Sequence, residues 1–261
     1  KFDVLAANDK LEVNGISASL YQGKLQGALS ATASASPHLH LQQSLSGVAL
    51  GPLLKDVIKK EPVSGRANVE FNLDTQGARV SQLKQALSGS AKMSVTDGAV
   101  SGVNLAQIIR NAKAKVGGAG DAGAGTGTGT SSASDKTDFS DLSASFNIKD
   151  GVARNQDLSA KSPLFRVVGN GDIDIGKDRL DYLVKPTVVA SLQGQGGPEL
   201  QALKGLTIPV RLSGPFTNIG WKIDMQALVA DAAKQKVEEK KEEIKTKATD
   251  KLKDAFKGIF K

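Results

Sequence analysis

The sequence predicts a mainly β chain: an antiparallel meander interrupted by short helices and followed by one long amphipathic helix. Three observations predict it. Apolar residues alternate with polar ones in run after run, the period-two signature of strands with one buried face. Turn signals such as Asp-Gly separate the runs, and glycine accepts the positive φ that a tight turn demands. From residue 225 onward the period changes to that of a helix.

The elements follow in chain order. Ile16, Ala18 and Leu20 alternate in ISASLY, and Gln22-Gly23 marks the turn after them. Gly51-Pro52 opens a short helix, LLKDVIKK, because proline in a first turn gives up no needed N–H. Val69, Phe71 and Leu73 alternate in a strand. Ser81 begins a second short helix that Gly89 can end. From Val95 the pattern reads as a strand, an Asp97-Gly98 turn, a second strand and a helix. That helix starts at Asn104, with Gln107 in a capping-box position. Residues 115–136 are rich in Gly, Ser, Thr and Ala, which offset little ordering entropy by burial, so a flexible loop is expected. Leu142, Ala144, Phe146 and Ile148 give the clearest alternation, closed by Lys149-Asp150-Gly151. Phe165, Val167, Ile173 and Ile175 keep one parity up to Gly176-Lys177-Asp178, and Ile208, Val210 and Leu212 form a last strand. The organisation expected is an amino-terminal half (1–114), the loop (115–136), a second half of the same domain (137–224) and the tail helix (225–261).

Asp224 is the expected N-cap of that tail. About thirty helical residues at 1.5 Å each make a rod of about 45 Å. Its last turns set Leu252, Phe256, Ile259 and Phe260 beside Lys251, Lys253, Lys257 and Lys261. Two readings stand side by side. One is an interfacial helix on an anionic membrane surface. The other is a solvated helix packed on its own sheet.

Composition narrows the function classes. The chain has 261 residues, 39% hydrophobic but only 4% aromatic, so Leu, Val, Ile and Ala must build the core. There is no cysteine, which removes disulfides, thiolate metal sites and thiol nucleophiles. The formal charge of +7 suits anionic lipid or nucleic acid. Nucleic acid is disfavoured, because glutamates interrupt the lysines and stacking aromatics are few. No apolar run reaches the ~18 residues of a membrane-spanning helix. The start, Lys1-Phe2-Asp3-Val4-Leu5, reads like the inside of a strand, so a fragment of a longer protein is expected.

No motif brings a cofactor or a metal. His38 and His40 share a strand face, which is metal-pair spacing, but a site needs a third ligand. Gly169-Asn170-Gly171-Asp172-Ile173-Asp174-Ile175 is one partial copy of a calcium repeat that works only in stacks. Asp172 and Asp174 are more simply the solvent face of a strand. Gly117 to Gly129 lacks the Gly-Lys-Ser/Thr of a phosphate loop. The carboxylate pairs Asp138/Asp141 and Asp178/Asp181 fit strand faces or turns, and no Gly-x-Ser-x-Gly elbow occurs. A catalytic centre is therefore not expected.

Three stretches, in this order, resemble the carboxy-terminal region of the AsmA family of Gram-negative envelope proteins. They are VTDGAVSGVNLAQIIR from Val95, TDFSDLSASFNIKDGVARNQDLSAKSPLFRVVGNGDIDIGKDRLDYLV from Thr137, and GLTIPVRLSGPFTNIGWKID from Gly205. Family members often carry Gly-Thr and a later proline in the third stretch, where this chain reads Ser213-Gly214-Pro215-Phe216 and then Asn218-Ile219. The resemblance implies a curved antiparallel sheet forming an open, groove-like meander with an apolar lining. It implies an inner-membrane anchor at the amino-terminal side of the full protein, a periplasmic location, and a role in phospholipid homeostasis and outer-membrane assembly. The partners implied are phospholipid or another acyl-chain lipid and an envelope protein; no catalytic residue is implied. Candidate groove or core positions are Phe71, Leu142, Phe146, Phe165, Val167, Ile208 and Val210. Candidate membrane contacts are Leu252, Lys253, Phe256, Lys257, Ile259 and Phe260. Alternation alone cannot say which apolar positions line an open groove and which close into a core.

Overall fold

Among the described residues, the alternating runs become one open sheet of twelve antiparallel strands, each hydrogen-bonded to the next in chain order. The computed structural model describes residues 1–102, 136–189 and 205–224, and positions 226, 227 and 241. The strands are β1 (Asp3–Ala7), β2 (Lys10–Leu20), β3 (Gly23–Thr32), β4 (His38–Ala49), β5 (Val63–Gln76) and β6 (Ser88–Ser101). They continue as β7 (Lys136–Lys149), β8 (Val152–Lys161), β9 (Phe165–Asp174), β10 (Arg179–Val188), β11 (Val210–Pro215) and β12 (Gly220–Ile223). Helix α1 (Leu50–Ile58) joins β4 to β5, and α2 (Val80–Ala86) joins β5 to β6. The long pairing of β6 with β7 makes the two expected halves one sheet.

Tight turns account for the meander. Tyr21 and Gln22 both take left-handed φ values, 45° and 65°, as a two-residue hairpin turn requires. Asp150 and Gly151 do the same between β7 and β8, at 49° and 76°.

Two local expectations are corrected. Asp97-Gly98 is not a hairpin turn, because β6 runs straight through it. Asp97 takes φ 50°, and three steps along β6, from Thr96 to Ala99, face two along β5, from Arg66 to Ser64. The pair is a bulge, which bends a strand without ending it. Gly89 does not end α2 either; it is paired within β6 to Leu73 and Ile148. Leu87, extended at φ −61° and ψ 125°, ends that helix. Its start is held by Gln82, whose Oε1 accepts from the N–H groups of Ala78 and Arg79 at 3.0 and 3.1 Å.

Two closed apolar clusters anchor the sheet. Leu50 of α1, Ala67, Val95 and Phe139 form one, with Leu53 and Leu54 against it. Phe165, Val167, Val188, Ile208 and Val210 form the other.

Asp224–Lys261 is a compact unit separate from Lys1–Ile223. Asp224 accepts the Ala227 N–H at 2.9 Å, the expected N-cap bond. The rest of the expected tail helix, the helix expected from Asn104 and the stretch 115–135 of the expected loop lie outside the described residues; Lys136 belongs to β7. Among the described residues, no helix is long and apolar enough to cross a membrane.

Candidate functional site

Cross-strand partners share a face, so the register decides which side chains stand together. One row passes through Ile16, Gly27, Gln43, Phe71, Ala91, Phe146, Asn155, Gly171, Tyr182, Leu212 and Trp221. It runs from β2 to β12, ten steps of about 4.8 Å or roughly 48 Å along the sheet. Beside it runs a second row, Ala18, Leu25, Leu45, Val69, Met93 and Ala144. On the other side Leu29, Leu41, Leu73, Gly89 and Ile148 form a third. The bulges keep these rows on one side despite their parity breaks. The result is a single apolar face across the sheet.

Helices stand at two margins of this face. Leu50, Leu53 and Leu54 of α1 pack at the Ala67 and Val95 end. At the other end of β5, the Thr75 hydroxyl donates to the Leu83 carbonyl of α2 at 2.5 Å. Phe71 and Leu73 lie between them on β5. Phe71, Leu73, Met93, Leu142 and Phe146 are only half-buried.

The seven sheet candidates therefore divide. Phe165, Val167, Ile208 and Val210 are between 2% and 8% exposed, inside the closed cluster. Ile208 precedes β11 rather than lying in it. Phe71 and Phe146 are half-buried on the face, and Leu142, also half-buried, packs against the Ala67 and Val95 cluster. Leu252, Lys253, Phe256, Lys257, Ile259 and Phe260 lie outside the described residues.

Two polar residues on this face were not foreseen. Gln43 lies across Gly27 and donates from Nε2 to the Ala28 carbonyl at 2.9 Å, while its Oε1 is buried without a partner among the described residues. Asn155, 1% exposed, donates from Nδ2 to the Ser145 carbonyl at 2.8 Å and to Asp157 at 2.7 Å. Its Oδ1 accepts from the Leu158 N–H at 3.2 Å and from the Tyr182 hydroxyl. Burial first, and negative Asp157 second, push the Tyr182 phenol up to about 12. The Ser145 hydroxyl, above all, holds the Asp157 carboxyl below its usual range, helped by the Ser145 N–H and the Asn155 amide. The network sits where β8 bulges and shifts register against both β7 and β9.

The glycines of the calcium-like stretch have a steric reason. A Cβ on Gly169 would lie 3.0 Å from Tyr182 Cε1, and one on Gly171 would lie 2.8 Å from its Cδ2. They clear a lane for the Tyr182 ring. The acids nearby serve the other face, where Asp172 takes a two-pronged bond from Arg154 at 2.9 and 3.0 Å.

That opposite face is polar. His40 Nδ1 is 2.9 Å from Asp74 Oδ1, and His38 Nε2 is 3.8 Å from it. Among the described residues no three such groups are placed to hold a metal ion. A shallow depression of about 440 Å³ also opens among Gln26, Gln42, Ser44, Glu70, Asn72 and Lys92. Its titratable groups, Glu70 and Lys92, are cross-strand partners.

A family model described as the AsmA family matches residues 4–158. The chain is also 25% identical over 223 residues to Protein AsmA of Escherichia coli (strain K12), covering 84% of this chain and 34% of that protein. It thus spans about a third of the length of the curated relative it matches. No solved structure matches.

Proposed function

Since the chain belongs to the AsmA family, we propose that it is part of a bacterial envelope protein that holds phospholipid acyl chains along its apolar face and catalyses no reaction. The observation that carries this reading is the half-buried row through Phe71 and Phe146, in register across the sheet and flanked by α1 and α2 on β5. Acyl chains laid on this lane leave water at about 0.8 kcal/mol per methylene. Their headgroups stay solvated beyond the strands. In this reading the protein works in the periplasm of a Gram-negative cell, in lipid traffic that supports outer-membrane assembly. An anchor elsewhere in the full protein holds it to the inner membrane. The tail touches the membrane surface through Leu252, Lys253, Phe256, Lys257, Ile259 and Phe260.

A second reading, an interaction module with a closed core, is favoured by the two buried clusters, Leu50 with Ala67, Val95 and Phe139, and Phe165 with Val167, Val188, Ile208 and Val210.

Gentle purification from a bacterial periplasm, followed by native and denaturing mass spectrometry, tests the first reading. Stoichiometric co-purifying phospholipid is expected. Lipid-free protein would overturn it and leave the module.

A further inference from the structure

We propose that the overhanging last turn of α1 is a contact point for an anionic lipid surface. This goes beyond the acyl-chain reading, because it concerns a different element and stands on its own observations. Leu50, Leu53, Leu54, Val57 and Ile58 occupy i, i+3, i+4, i+7 and i+8, a single apolar stripe of the helix. The first three pack on the sheet. The stripe then runs past it, and Val57 and Ile58 are 69% and 50% exposed.

The charge around this pair has one dominant sign. Lys55, Lys59 and Lys60 are exposed, and none of them is in an ion pair among the described residues. The two neighbouring acids face elsewhere. Asp56 accepts the Tyr21 hydroxyl at 2.8 Å, and Glu61 folds back over Gly51 in the first turn of α1. Lysines also suit the negative end of the helix dipole. Two apolar side chains framed by exposed lysines match an interface of acyl tails beneath anionic headgroups. A second copy of the chain would instead set these lysines against one another. Because α1 stands at a margin of the apolar face, this contact would bring that margin to the bilayer.

The full chain has no cysteine, so Val57→Cys carries a single environment-sensitive fluorophore, with Asn147→Cys on the polar face as control. Vesicles of phosphatidylglycerol with phosphatidylcholine should blue-shift the emission at position 57 and raise it severalfold, with no change at 147. Adding Lys59→Glu and Lys60→Glu should remove the response. Unchanged emission at 57, whether or not the chain sediments with the vesicles, overturns the proposal. So does an equal response at both positions, or a blue shift that grows with protein concentration in the absence of vesicles. None of these readouts depends on lipid co-purifying with the protein.

Discussion

The Tyr182 hydroxyl on β10 donates to the side-chain oxygen of Asn155 on β8, reaching across β9 over Gly169 and Gly171. Three adjacent strands are tied by one side chain lying across them. The tie closes beside the bulge of β8, and Asn155 also binds the Ser145 carbonyl there.

Removing the two partners should have unequal effects. Tyr182→Phe deletes one buried hydrogen bond and leaves Asn155 Oδ1 the Leu158 N–H, a loss of about 1 kcal/mol. Asn155→Ala strands the phenol and the Ser145 carbonyl and opens a void, a loss of about 3 kcal/mol. Urea denaturation of the two variants checks the order, and an equal loss would mean the tie is not what holds the bulge.

The same phenol predicts a stability change in alkali. Its pKa is near 10 in an unfolded chain and about 12 in the fold. Between those values the folded state binds more protons, so stability is full below pH 10 and falls as pH rises toward 12. Tyr182→Phe should flatten this slope. Tyr21 is raised too, by its bond to Asp56, so the wild-type curve must be read against the variant. A slope unchanged in the variant would assign the alkaline loss to other groups.

Asp157 gives the acid counterpart. Its lowered pKa contributes stability that is present above the ordinary carboxylate value and lost as pH falls through the folded one. Ser145→Ala removes the hydroxyl bond at 2.5 Å that is the largest cause. The variant should lose stability at neutral pH and show a shallower acid limb than the wild type. Parallel limbs would show that Ser145 does not tune Asp157.

What was legible in the sequence was parity. Val69, Phe71 and Leu73 had to share a side because a strand's side chains alternate, and they do. The order of strands was legible because short turns leave antiparallel neighbours little choice. Parity fails at bulges, where one extra residue flips the count; Asp97-Gly98 therefore looked like a turn and is a bend inside β6. It is also blind to contacts between strands, so nothing in it tied Asn155 to Tyr182 or gave Gly169 and Gly171 their steric role beneath the Tyr182 ring. Nor does it separate a closed cluster from an open face, since Phe146 and Phe165 alternate alike in sequence.

The tail admits a separate test, although its residues lie outside those described. Deleting residues 250–261 removes Leu252, Phe256, Ile259 and Phe260 with their lysines. Sedimentation with anionic liposomes should fall markedly, while the sheet's circular dichroism stays as it was. Unchanged sedimentation would assign membrane contact to elements other than this segment.

Phe146 and Phe165 separate lipid binding from folding. Phe165 is 2% exposed within the cluster of Val188, Ile208 and Val210. Loss of such a side chain costs about 3–5 kcal/mol before any charge is buried, so Phe165→Asp should unfold the protein. Phe146 is half-buried between Ala91 and Asn155 in the row that crosses the open face. Phe146→Asp can turn its carboxylate to water, so the fold should persist, while the charge interrupts the apolar lane through Phe71. The expected result is native-like circular dichroism with co-purifying phospholipid lost. Lipid retained by a folded Phe146→Asp variant would show that acyl chains do not follow this row. Unfolding of both variants would show that the face around Phe146 is closed core.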